Sequence, residues 1–317
     1  MGLLSRILPK TIPTRTLRDY MMYSAAAMAR RHARPIVSGF PVGLAAIVVD
    51  ARSRQRYFVS YNVESRSKSG APDSVHAEEG LVARLRKEEI KGVEYEEKIW
   101  RILVLGGLKG QAPVVIPPCG NCRDVLLSHA VRDAEVFVLN ESGKGIWFPL
   151  TAFLPDVYDK EALVASLKPR DPVLQMYTLV RRLIEGKKKE APFDPFSKGP
   201  RATVMLDEDG AVIGASTIGD AAFHFTESGE VAGGMKDAFR HRKVRFVMFS
   251  HNLQVDGPVY PSGRELQKMY QLSQFSDGGL TIISASPNGK LWFAQIDKLL
   301  PYAFGPKELG IDVRDYL

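Results

Sequence analysis

Two short segments bring together the residue types that can do chemistry. One is His76-Ala77-Glu78; the other is Pro118-Cys119-Gly120-Asn121-Cys122-Arg123. An imidazole and two thiolates are good zinc donors, and two thiolates cancel the ion's double positive charge. Three protein donors leave a tetrahedral ion one ligand short, and a catalytic zinc keeps that position for water. The spacing therefore predicts His76, Cys119 and Cys122 as ligands of one zinc. Glu78 lies two residues past His76, off the ligand's side of a helix. There its carboxylate can lean over the open position and carry protons. A redox C-x-x-C pair needs no His-x-Glu segment upstream. A structural zinc would want a fourth protein ligand, and His32, His129, His224, His241 and His251 offer no motif spacing.

Such side chains need rigid elements to hold them. Ala77, Leu81 and Leu85 recur at helical spacing and predict a helix over Val75–Glu88, with His76 at its start and Ser74 as N-cap. Gly120–Ala130 predicts a second helix, with Cys119 and Cys122 on one face of its first turn. A helix N-terminus carries partial positive charge and favours thiolates. Strands are predicted at Leu44–Val49, Arg56–Tyr61, Ile102–Leu105 and Glu135–Leu139, and a first helix at Thr16–Ala33. This alternation predicts an α/β sandwich around a mixed sheet. The N-terminal stretch Met1 to Arg34 is Arg-rich with Asp19 as its sole acid, as in a transit peptide. The helical recurrence of Leu17, Met21, Ala25 and Met28 favours the first helix of the fold instead.

The chain has 317 residues, 45% of them hydrophobic and 25% charged, enough for two ordinary domains. No apolar run approaches the ~20 residues that cross a bilayer. The net charge of +7 is scattered, its densest cluster being Lys187 to Lys189, so a solvated basic surface is expected and nucleic acid is not expected as a partner. Both cysteines sit in the one motif, which excludes a disulfide scaffold and fits a reducing, cytoplasmic setting. Three prolines between Ala191 and Pro200 mark a boundary. The predicted division is 1–158, a helical connector and linker over 159–199, and 200–317.

The second half repeats the first. Tyr61–Leu85 can be laid on Ala215–Phe239, matching Ser74 with Ser228, Gly80 with Gly234 and Leu81 with Met235. Pro118-Cys119-Gly120 meets Pro261-Ser262-Gly263, and Phe153-Leu154-Pro155 meets Leu299-Leu300-Pro301. In this overlay His76 becomes Glu230, Glu78 becomes Ala232, Cys119 becomes Ser262 and Cys122 becomes Glu265. The second copy is therefore predicted to hold no metal.

His76-Ala77-Glu78 with Pro118-Cys119-Gly120-x-Cys122 matches the H-x-E…P-C-x-x-C signature of zinc deaminases. The chain resembles the cytidine deaminase family, in particular its dimeric type with a degenerate second domain. Phe40-Pro41-Val42-Gly43 and Asn62-Val63-Glu64 are similar to two further family segments, and Leu299 to Pro306 to the family's ending. Asp124 departs from the usual glutamine, and the polar stretch from Glu64 to His76 is a further departure. The resemblance implies a tandem duplication of a three-layer sandwich around a mixed five-stranded sheet. It also implies one zinc per chain, a homodimer, and hydrolysis of cytidine or deoxycytidine to the uridine and ammonia in pyrimidine salvage. Asn62 and Glu64 would hold the ribose, the backbone near Ala77 and Cys119 the base edge, and Phe40 would line the site or simply pack the core. Phe304, or its repeat counterpart Tyr158, would close a neighbouring pocket. Two rivals are a deaminase of cytosine in RNA, DNA or a nucleoside antibiotic, and a zinc-stabilised scaffold without activity. Glu64 argues against the first and Glu78 against the second.

Overall fold

The computed structural model describes residues 16–49, 54–66, 72–89, 98–107, 115, 117–140, 144–155, 159–190, 200–216, 243–251, 257–276, 279–303 and 305. The chain divides into two compact units, Met1–Leu154 and Pro155–Leu317.

In the first unit, helix α1 (Leu17–Arg30) precedes β1 (Val42–Val49) and β2 (Gln55–Tyr61). The ribbon β3 (Val63–Arg66) and β4 (Pro72–Val75) leads into α2 (Ala77–Glu89). Then follow β5 (Lys98–Gly106), α3 (Gly120–Leu127), β6 (Ala130–Leu139) and β7 (Gly145–Pro149). The five-stranded sheet runs β2-β1-β5-β6-β7. Only β5 and β6 are parallel neighbours; the other pairs are antiparallel.

Strand β1 is apolar along its whole length because both of its faces are covered. Leu44, Ala46 and Val48 face a core shared with Ala77, Leu81 and Leu85 of α2 and Leu126 of α3. Ala45 and Ile47 face Met22 and Ala26 of α1. A register shift between Ile99 and Arg101 puts Ile99 on the same face as Ile102 and Val104. The result is the predicted three-layer sandwich. Each fully buried Leu or Ile in these layers contributes roughly 1.5–3 kcal/mol.

Helix α1 lies so close to the sheet that a Cβ at Gly43 would stand 2.1 Å from the Ala26 carbonyl oxygen. Its buried face is Asp19, Met22, Ala26 and Ala29. The stripe that suggested the helix points outward instead, with Leu17, Met21 and Met28 exposed. No large side chain could fit beside Gly43, so Ala26 stands there, while Met22 is buried a turn earlier. Asp19 closes a capping box with Thr16 and accepts from Arg101 Nη1 at 3.2 Å.

The second unit begins with β8 (Lys160–Leu163) and α4 (Pro172–Glu190). It continues through β9 (Arg201–Asp207), β10 (Val212–Ser216), β11 (Val244–His251), α5 (Gly263–Ser273), β12 (Thr281–Ala285) and β13 (Lys290–Gln295). Its sheet runs β10-β9-β11-β12-β13-β8. Here β11 and β12 form the parallel pair. Pairing registers make Ala45, Leu103 and Phe137 equivalent to Val204, Met248 and Ile283. Helix α4 covers that second trio as α1 covers the first.

Two expectations are corrected here. Residues 160–190 are not a free-standing connector, because Val173, Met176, Val180 and Ile184 of α4 are buried in the second core. Strand β8 pairs with β13 and makes that sheet six-stranded rather than five-stranded. Residues 191–199, the counterparts Ser228, Glu230, Ala232, Gly234 and Met235, and both Tyr158 and Phe304 lie outside the described residues.

Candidate metal centre and its surroundings

The two ligand segments arrive on the same side of the first sheet. His76 directly precedes α2, and its carbonyl accepts from the Gly80 amide at 3.0 Å. It is thus the residue that starts the helix. Ser74, expected as the cap, is instead paired with Glu64 in the β3–β4 ribbon. The cap comes from the other direction: the Glu79 carboxylate reaches back to the His76 amide at 2.9 Å. Cys119 is the N-cap residue of α3, with φ −65° and ψ 164°, and its side chain makes no capping bond. Its thiol is free to turn inward. Cys122 follows in the first turn.

His76 Nδ1 stands 3.2 Å from Cys122 Sγ and 3.4 Å from Cys119 Sγ. The three donor atoms lie within 4.8 Å of one another. Two soft sulfurs and one imidazole nitrogen converging in this way suit zinc. Glu78 is buried beside them, and Cys122 Sγ donates to its Oε2 at 3.3 Å. Sequence spacing located all four residues, and the fold brings all four together.

Electrostatics follow from this crowding. Hydrogen bonding to Cys122, then to His76, draws the Cys119 pKa down to about 4 against the opposing effect of burial. Cys122 is pushed up, chiefly by burial and then by its bond to Cys119. His76 rises to about 9, mainly through its hydrogen bond to Cys119. Glu78 is raised by burial and by the Cys119 charge. A carboxyl group lifted above its usual range holds a proton more readily near neutrality, which suits a proton carrier.

Arg123 is fully buried. It donates to the carbonyls of Pro118 at 2.8 Å and Phe153 at 2.9 Å, and lies over the Phe153 ring at 4.7 Å. It ties the approach to α3 to the turn after β7. Burial lowers its pKa to about 10, while the neighbouring sulfurs act to raise it. The sequence showed this arginine within the motif but not its task.

The residues expected around a sugar do something more specific. Asn62 Oδ1 accepts from the Val42 amide at 2.8 Å, and its Nδ2 donates to the Phe40 carbonyl at 2.9 Å. Glu64 Oε2 accepts from the amides of Val37 at 2.7 Å and Ser38 at 2.8 Å, while Oε1 accepts from the Ser38 hydroxyl. Both side chains therefore clamp the chain between α1 and β1. Phe40 packs against Gly106, where an added Cβ would lie 3.0 Å from its Cε1. Ala77 is buried in the core under α2. Ser38 and Val37 gave no signal in the sequence, since a single backbone donor leaves no pattern of residue type.

No family model matches the chain. A curated relative, the cytidine deaminase of Sporosarcina psychrophila, is 29% identical over 136 residues, which is 41% of this chain and 95% of that protein. Among solved structures, a cytidine deaminase from Burkholderia pseudomallei is 27% identical, with 44% of this chain and 98% of that one covered and a TM-score of 0.34. One from Bacillus anthracis is 16% identical, with 46% and 97% covered and a TM-score of 0.33. Over 136 residues the chain is thus similar to a cytidine deaminase.

Burial alone would raise the Glu64 pKa, but the bonds from Ser38 and Val37 and the charge of His76 bring it below the usual value. A lowered folded-state pKa makes the clamp complete above the ordinary carboxylate range. The clamp is lost as pH falls through the lowered value. Glu64→Ala should speed amide exchange at Val37 and Ser38 by about 10–100-fold at neutral pH, the worth of charge-assisted bonds at about 1.5–3 kcal/mol. Unchanged exchange at both amides would show that Glu64 does not hold this segment.

Proposed function

We propose that the protein is a zinc-dependent hydrolytic deaminase of cytidine and deoxycytidine, releasing ammonia and the corresponding uridine in nucleoside salvage. The observation that carries this reading is the convergence of His76, Cys119 and Cys122 with the buried carboxylate of Glu78. The name of the 29% identical relative supports it. His76, Cys119 and Cys122 would hold one zinc per chain. Bound there, zinc would supply Lewis acidity and make water a nucleophile near neutral pH. Glu78 takes a proton from the attacking water and gives it to N3 of the base, then takes the second proton from the hydroxyl now on the reacting carbon and gives it to the leaving amine. Its raised pKa favours this double use. Arg123 keeps the first turn of α3 in place while charge shifts beside it.

Glu64 serves the ribose through its Oε1. Rotating the Ser38 hydroxyl frees that oxygen for a sugar hydroxyl, while Oε2 keeps the two backbone amides. Asn62 holds the Phe40 to Val42 segment as the adjoining wall. The second unit is a degenerate copy that has lost its metal. Ser262 and Glu265 form a capping box at the start of α5, where the first unit has Cys119 and Cys122 at the start of α3. The protein acts as a cytoplasmic homodimer in which Phe304 of one chain closes the pocket of its partner.

Three measurements test these assignments. Incubation with cytidine, deoxycytidine and a cytosine-containing oligonucleotide should release ammonia from the nucleosides alone. Glu78→Ala should retain zinc and lose about 10²–10⁴-fold or more in turnover. Release from the oligonucleotide alone, or a Glu78→Ala enzyme within tenfold of the parent, would contradict the reading. For the closing residue, Phe304→Ala should raise KM for cytidine with the melting temperature unchanged. If Tyr158→Ala does so instead, the pocket is closed by the other copy.

A further inference from the structure

The starts of α2 and α3 carry the three proposed ligands, yet they come from distant parts of the chain. One side chain joins them without touching the donor atoms. Glu79 Oε2 accepts from the His76 backbone amide at 2.9 Å, and Glu79 Oε1 accepts from Asn121 Nδ2 at 2.7 Å. His76 is a ligand residue, and Asn121 stands between Cys119 and Cys122. A carboxylate only accepts hydrogen bonds, so the amide must turn its nitrogen toward Glu79. The bridge therefore has a defined polarity.

We propose that Glu79 is a positioning residue for the metal centre, and that its bond to Asn121 sets the separation of the imidazole from the two thiols. The inference rests on the reading of this centre as a zinc site. The ordinary alternative is that Glu79 merely caps α2. That role uses only Oε2 and the His76 amide, so it ends at the helix. The second oxygen has no part in capping, and it is spent on the neighbouring helix between the two cysteines. Without that bond the two ligand-bearing turns lose a direct side-chain link. Outer residues that orient metal ligands typically change metal affinity by about 10–100-fold when removed.

Variants at Asn121 separate the two roles, because they leave the cap intact. Asn121→Ala removes the bridge. Asn121→Asp sets two carboxylates against each other. Glu79→Gln keeps an acceptor for the His76 amide, and Asn121 can flip its amide to meet the new donor. In the double variant Glu79→Gln/Asn121→Asp, the glutamine nitrogen donates to the aspartate and the bridge is rebuilt with reversed polarity.

The test is zinc affinity of the full chain, measured by competition with a chromophoric chelator, alongside the melting temperature of the metal-free protein. Asn121→Ala and Asn121→Asp should bind zinc about 10–100-fold more weakly, with metal-free melting unchanged. Glu79→Gln and the double variant should bind within about threefold of the parent. Equal affinity in Asn121→Asp and parent would overturn the inference, as would failure of the double variant to recover. A loss of affinity that follows a loss of metal-free stability would reduce Glu79 to a cap and also overturn it. A parent that takes up no zinc would overturn the underlying reading together with the inference, and would be recognised because every variant then matches an inert parent.

Discussion

Three electron-rich donors must share a buried space a few ångströms across. With all three deprotonated, two sulfur charges and a nearby carboxylate would repel one another where water cannot screen them. The protein answers by dividing protons unevenly. Cys119 becomes the better acid, at about 4, Cys122 is forced to keep its proton, and His76 is held cationic up to about 9. A divalent cation would remove the conflict at its source. Ligands that hold protons must release them to bind it, so metal affinity and proton affinity are linked. Much of the local architecture serves to keep these donors together. The cores under α2 and α3 fix the helices, Arg123 fixes the approach to α3, and the β3–β4 ribbon delivers His76 from the other side.

In the second unit a serine and a glutamate stand at the start of α5, three residues apart as the two cysteines are at the start of α3. Cys119 and Ser262 sit at the same place in their helices with nearly the same backbone, φ −65° and ψ 164° against φ −62° and ψ 157°. In the first unit that residue spends its side chain on the centre and leaves its helix uncapped. In the second, Ser262 and Glu265 bond each other's backbone, and the helix start is satisfied internally. An N-cap of this kind is worth about 1 kcal/mol. The same frame thus supports either a metal centre or a stable helix start, but one pair of positions cannot do both.

The strongly patterned parts of the fold were legible in the sequence. Both-sides-buried strands such as β1 are continuous apolar runs, and α2 shows its buried face at helical spacing. The three donors that could hold a metal were legible because few residue types can do that work. What the sequence hid has a physical reason in each case. On α1 the buried face is Asp19, Met22 and two alanines, the alanine at position 26 standing where Gly43 lets the backbones meet. Leu17, Met21 and Met28 were left outside and misled the reading. Helix α4 looked like a connector because its lysines lie near its end, while its apolar stripe belongs to the second core. The bonds that Glu64 and Asn62 make to backbone groups at 37–42 left no trace in the sequence. Backbone partners are invisible to residue-type patterns.

The central claim is that one imidazole and two thiolates hold a zinc whose remaining position is open. X-ray absorption at the zinc edge of the metal-loaded protein addresses it directly. The account predicts two sulfurs at about 2.3 Å, one nitrogen at about 2.0–2.1 Å and one further light oxygen neighbour. A shell closed by four protein nitrogens and sulfurs, or one lacking sulfur, would contradict it.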